Sequence, residues 1–227
     1  LDQAVAYALA ALSPDALTAP RPRLRVFALG PARIFCGERL LTAADWTYDK
    51  ARELVFFLIS QPHATREAIG LHFWPDASTE QVRKRFSAAL AHARTALGRE
   101  TAWITLTEGR YSLQRTYWYD VEQFEKRLDA ARDLLLDGGV DEQLITLLEE
   151  AVNLYQGDFV EDLVEGEWQQ SRRTRLRQRF LDALVTLGGL HTAAQRHDQA
   201  IAAYQRALAK DPYLEEAHVA LIHCFAR

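Results

Sequence analysis

Three observations predict an α+β winged helix followed by an all-α helical-repeat domain. A basic amphipathic helix over residues 79–98 runs into a short turn-centred hairpin. Strand-like segments and two apolar helices precede it, and the second half of the chain carries the spacing of a paired-helix repeat.

Taken in order, residues 4–12 read as the last helix of something upstream, and residues 13–22, with Pro14, Pro20 and Pro22, as a stiff, extended linker. Residues 24–30 and 32–35 alternate like strands, and Gly37-Glu38-Arg39 reads as a turn before Leu40-Leu41. Residues 48–60 predict a helix burying Ala51, Leu54, Val55 and Leu58 and ended by Gln61-Pro62. Thr65 then caps a shorter helix through Phe73-Trp74, Pro75 stops it, and Ser78 or Thr79 caps the next.

On that third helix Val82, Phe86, Ala89, Leu90, Ala93 and Leu97 fall in one apolar stripe at about 100° per residue. The opposite face carries Lys84, Ser87, Ala88, Ala91 and Thr95, flanked by Arg83, Arg94, Arg85 and His92. Cations at its edges suit phosphates, and the small centre lets a backbone sit deep in a major groove about 12 Å wide. A basic face alone is a weak motif. The hairpin that follows strengthens it: residues 103–106 and 111–113 alternate around Thr107-Glu108-Gly109-Arg110, which reads as the tip, with Arg110 in reach of a phosphate or minor groove.

In the second half, Leu184-x2-Leu187-Gly188-x2-His191, then Ala200-x3-Tyr204-x2-Ala207 and Pro212, follow the 34-residue tetratricopeptide offsets. Leu184 replaces the usual tryptophan and His191 the usual tyrosine. Gly188 and Ala200 permit close helix approach, Tyr204 and Ala207 interlock, and Pro212 ends the second helix. Residues 181–214 make one repeat, helices near 121–136, 142–155 and 167–186 stack before it, and residues 218–225 begin another. A solenoid open at Arg227, and a chain without methionine, read as a fragment.

From residue 23 onward the chain resembles the OmpR-like winged helix fused to a bacterial transcriptional activator domain, as in the Streptomyces antibiotic regulatory proteins (SARPs). The resemblance rests on Lys50-Ala51-Arg52-Glu53-Leu54, Phe73-Trp74-Pro75-Asp76, Phe86-Ser87-Ala88-Ala89-Leu90, residues 93–98, Gly109-Arg110-Tyr111-Ser112-Leu113 with Asp120 and Phe124, and residues 151–159. It implies a third helix in the major groove of double-stranded DNA and a wing on the neighbouring minor groove. Family contacts then map onto Lys84, Arg85, Ser87, Ala88, Ala91, His92 and Arg94, with wing contacts near Glu108, Gly109 and Arg110. The expected division is residues 1–22 as linker, 23–116 as winged helix and 117–227 as activator domain, truncated at its end.

Charge follows the same division, with 15 Lys+Arg against 10 Asp+Glu over residues 21–120 and 12 against 19 over residues 121–227. A basic module suits phosphate; the acidic one faces something else. The arginine run 172–179 spreads around its helix, and salt bridges to Glu161, Asp162, Glu165 or Glu167, or to the winged helix's own acids, at a docking surface between modules, are its expected use.

Catalysis finds no residue set: the sequence has no glycine-rich phosphate loop, G-x-S-x-G elbow or H-E-x-x-H pairing. Cys36 and Cys224 lack C-x-x-C spacing and read as free thiols of a reducing compartment, and no metal or cofactor is expected. No apolar run approaches the ~18 residues of a membrane span, and no secretory signal opens the chain. The expectation is a cytoplasmic, sequence-specific transcriptional activator that works by recruitment, its repeats contacting RNA polymerase, another protomer or an upstream sensor domain. The alternative is an interaction scaffold with little DNA affinity, since Ala91 and His92 stand where relatives often carry arginine and Glu108 puts a negative charge on the wing.

Overall fold

The computed structural model describes residues 24–98, 102–114, 116–138, 142–164 and 166–225. The upstream helix and linker expected over residues 4–22, and Glu165, lie outside them. The described residues divide into two compact units: residues 24–119 with Val160–Ser171, and Asp120–Phe159 with residues 172–225.

In the first unit β1 (Leu24–Phe27), β2 (Arg33–Cys36) and β3 (Arg39–Leu40) form an antiparallel meander. A strand not anticipated, β7 (Tyr117–Tyr119), joins β1 in parallel with Leu24 opposite Tyr117, giving the order β3-β2-β1-β7. The unit thus continues past residue 116, the expected boundary, and takes in residues 160–171 as well. Helix α1 (Asp49–Ser60) buries Ala51, Leu54, Val55 and Leu58 as its spacing requires, and Glu53, Phe56, Phe57 and Ile59 besides. Its burial on nearly every side marks it as the centre of the core.

Helix α2 (Arg66–Phe73) starts at Thr65, whose hydroxyl accepts from Ala68 N at 3.2 Å. Helix α3 (Thr79–Ala96) starts at Ser78 in a capping box: Ser78 Oγ accepts from Gln81 N, and Gln81 Oε1 from Ser78 N. Strands β5 (Ile104–Thr107) and β6 (Arg110–Leu113) form the hairpin, and β4 (Ala64–Thr65), too short for the sequence to betray, pairs with β6.

Residues 160–171 lie across this unit as a strap. Val160 N donates to Ala28 O at 2.7 Å and Glu161 N to Gly30 O at 3.2 Å. Asp162 accepts from Ala32 N at 2.6 Å and from Arg52 at 2.7 Å, while Arg52 also donates to Ala32 O. Trp168 gives its indole N–H to the buried carboxylate of Glu53 at 3.2 Å, a group that Lys50 also holds at 2.6 Å. Val160 takes a φ of 45°, rare for a β-branched residue, and is held there by complete burial as well as by its bond.

In the second unit α4 (Asp120–Leu136) and α5 (Glu142–Leu154) pair through Val121, Phe124, Leu128 and Ala131 against Leu144, Leu148 and Ala151. Helix α6 (Glu167–Ala193) enters this unit at Arg172 and is followed by α7 (His197–Lys210) and α8 (Glu215–Phe225). Where the sequence suggests a helix ending near residue 186, α6 continues unbroken to Ala193. Gly188 lies inside it because Tyr204 of α7 presses there: a Cβ at Gly188 would stand 2.6 Å from two ring atoms.

Arg175, Arg177 and Arg179 of the arginine run bond acids other than those expected. Arg175 reaches Glu125 at 3.2 Å, Arg179 reaches Asp129 at 2.6 Å, and Arg173 Nε donates to Phe159 O. Arg177 pairs with Asp158, which also accepts from Lys210 and from the Tyr155 hydroxyl, both at 2.8 Å. Asp162, one expected partner, is held by Arg52 instead. Burial pushes the Asp158 carboxyl up, but the donors Arg177, Lys210 and Tyr155 outweigh it and hold it at about 2. Burial and the hydrogen bond to Asp158 push the Tyr155 phenol up. Tyr155 stacks on Phe180 at 4.1 Å, so this polar cluster sits against an aromatic pair.

Candidate nucleic-acid interface

Helix α3 turns Phe86, Ala89, Leu90, Ala93 and Ala96 inward, as its spacing predicts. Val82 is only half-buried, because it packs against Gly70 of α2 at the edge of the core. Every cation, and every small residue placed on the outer face from sequence, is solvent-exposed: Arg83, Lys84, Arg85, Ser87, Ala88, Ala91, His92 and Arg94. Among the described residues Arg83 and Arg85 form no ion pair or hydrogen bond. Lys84 pairs with Glu80 one turn earlier at 3.1 Å, with both side chains about 70% exposed.

The other two side chains are partly engaged. Arg94 donates to the Ile104 carbonyl of β5 at 3.1 Å, so one edge of its guanidinium fastens the hairpin to the helix. His92 Nδ1 lies 2.8 Å from Thr47 Oγ1, and its ring stands 5.8 Å from that of Tyr48. These contacts bring the residues just before α1 to the rim of the exposed face. Thr47 and Tyr48 carry no sequence signal for that place, being far from His92 in the chain.

The hairpin is tighter than the expected four-residue tip. Thr107 and Arg110 pair across a two-residue turn in which Glu108 and Gly109 take φ values of 51° and 75°. Two successive positive φ values match the right-handed twist of the strands and favour glycine at the second position. Arg110 therefore lies on the central strand of the order β4-β6-β5, and its Nη1 donates to His63 O at 3.2 Å. Arg110 thus stands beside the turn, solvent-exposed and tied on one side to His63, with Glu108 in the turn itself. Phe86 of α3 meets Tyr111 of β6 ring-to-edge at 4.7 Å, which fixes the hairpin against the helix.

A helix with an exposed basic face and a hairpin locked beside it can lay the helix in a groove while the hairpin lies along the flanking backbone. Among the described residues no group of three His, Cys, Asp or Glu could hold a metal ion, and no helix is long and apolar enough to cross a membrane. Cys36 is a free, half-exposed thiol pushed up by burial, and Cys224 is a free, buried one.

Residues 119–227 match the bacterial transcriptional activator domain family. Among solved structures the fold is similar to EmbR of Mycobacterium tuberculosis in complex with a low-affinity phosphopeptide, at 18% identity and a TM-score of 0.74. That likeness covers 89% of this chain and 54% of the EmbR chain, so the chain spans about half the length of the structure it matches. No curated protein sequence matches it significantly.

Proposed function

We propose that the chain is a SARP-type transcriptional regulator, on the match of residues 119–227 to the activator domain family and on its fold, and that it binds double-stranded DNA in a sequence-specific way through α3 and the β5–β6 wing. The observation that carries the proposal is the exposed face of α3, with Arg83, Lys84 and Arg85 along it and Ser87, Ala88 and Ala91 at its centre. Arg85, Ser87, Ala88, Ala91 and the free edge of His92 face the bases; Lys84 and Arg94 meet phosphates; Arg110, beside the wing turn, meets the flanking phosphate or minor groove. Small groove-facing side chains leave much of the reading to DNA shape.

The helical unit acts by recruitment, toward RNA polymerase, a second protomer or a sensor domain, and the protein works in the cytoplasm, where its DNA is. Regulation, not chemistry, is its task. Glu108 in the wing turn and Glu80 beside Lys84 favour the competing scaffold reading.

Fluorescence-anisotropy titration against a pool of bacterial promoter duplexes at two salt concentrations tests the proposal. A DNA reader loses affinity steeply as salt rises, in proportion to the phosphates it neutralises. A folded sample that binds no duplex at low salt would refute the proposal and leave the scaffold.

A further inference from the structure

We propose that Trp168 is a positioning residue for DNA reading: from the strap Val160–Ser171 it seats α1 and α2, and so holds α3 in the attitude its DNA contacts need. The inference rests on the DNA-binding reading above.

The strap comes from the part of the chain that matches the activator domain family, yet it packs as part of the winged-helix unit. The chain enters it from Phe159 and leaves it at Arg172, both of which belong to the helical unit. One end is fastened to the β1–β2 turn by Val160, Glu161 and Asp162, which bond Ala28, Gly30 and Ala32. The other end buries Trp168 against α1.

From Trp168 an unbroken line of packed groups reaches the DNA-reading helix. The indole lies 5.4 Å from the Phe57 ring at 76°, and Phe57 lies 5.4 Å from Phe73 of α2 at 88°. Lys50, which shares Glu53 with Trp168, sits over the same Phe73 ring at 5.2 Å. Helix α2 then touches α3 so closely that a Cβ at Gly70 would stand 2.5 Å from Val82. Close-packed groups transmit a displacement because neither aromatic edges nor a glycine–valine contact leaves slack.

The Glu53 carboxylate makes the seat specific. It is 5% exposed, and a buried carboxylate deprived of a donor is costly, so α1 is fully satisfied only with the indole in place. None of these groups is on the exposed face of α3. Loosening the strap therefore weakens DNA binding without removing a DNA contact.

The test compares three variants of the full chain with wild type, each confirmed folded by circular dichroism at the assay temperature, in anisotropy titrations with the promoter-duplex pool at low salt. Trp168→Phe keeps a ring edge for Phe57 and loses the N–H. Asp162→Asn loosens the opposite end of the strap and carries the test alone if Trp168→Phe does not fold. Ile34→Val, buried in the same unit but outside the aromatic line, controls for destabilisation. The expected result is that both strap variants bind at least about fivefold more weakly than the Ile34→Val control. Strap variants that bind as tightly as the control, while wild type binds DNA, would overturn the positioning role and leave the strap purely structural. A folded wild type that binds no duplex would overturn the DNA-binding reading and this inference with it.

Discussion

Replacing Lys84 by alanine separates DNA contact from stability on α3. Its partner Glu80 lies one turn away at 3.1 Å, and both side chains are about 70% exposed. An exposed pair at this spacing is worth about 0.3–0.5 kcal/mol, so the ammonium exchanges its carboxylate for a phosphate at little cost, and losing it barely affects the fold. On DNA the loss is visible in salt dependence. Each phosphate neutralised contributes about 0.9 to the slope of log affinity against log salt, so the slope should become shallower by about that much. Between 50 and 200 mM salt, the advantage of wild type over Lys84→Ala should shrink about 3.5-fold. Arg94→Ala should behave differently, because its guanidinium also holds the Ile104 carbonyl at 3.1 Å. Losing that bond removes about 0.5–1.5 kcal/mol of stability in addition to DNA affinity. Anisotropy titrations over a series of salt concentrations, paired with thermal melts, read both quantities. If Lys84→Ala leaves slope and affinity unchanged, or lowers the melting temperature as far as Arg94→Ala does, the assignment of the exposed face of α3 is wrong.

Two further predictions concern the helical unit. Gly188→Ala places a methyl 2.6 Å from two atoms of the buried Tyr204 ring; overpacking of about 1–3 kcal/mol, against a helix-propensity gain of about 1 kcal/mol, gives a net loss of up to about 2 kcal/mol in denaturant unfolding. In a Tyr204→Leu background the same change should cost less, and an equal cost in both backgrounds would place the strain elsewhere. The carboxyl of Asp158 has a folded-state value of about 2, against an ordinary 3.8. Because the folded value is depressed, its contribution to stability is complete above about pH 4 and fades as pH falls toward 2. Asp158→Asn should lower stability at neutral pH and flatten the loss across that window; urea midpoints between pH 2 and 5 that decline as steeply as in wild type would exclude the effect.

Elements with strong local patterns were legible in the sequence. The stripe of α3, the Thr65 and Ser78 caps and the Gly188–Tyr204 approach all rest on groups separated by one or a few helical turns, or on a fixed repeat offset. What escaped depends on partners far apart in the chain. Strands β4 and β7 hold two and three residues, and only their pairing with β6 and β1 defines them. The arginines of α6 are visible as charges, but their choice of Glu125, Asp129 and Asp158 follows from helix packing that no spacing encodes. On the candidate interface the composition of the basic face could be read directly. The attachments of Arg94, His92 and Arg110 could not, since each reaches a group contributed by another element.

The strap also bears on how chains of this architecture can recombine. A crossover after Tyr119 would move the strands, α1–α3 and the wing into a new host but leave behind Asp162 and Trp168, the partners of Arg52 and Glu53. The hybrid would inherit a buried carboxylate without its indole donor and an uncovered edge on Phe57. A functional exchange of winged helices between relatives thus takes two exchanged stretches, one ending at Tyr119 and one spanning residues 160–171, and descent by simple end-to-end shuffling is penalised at each trial.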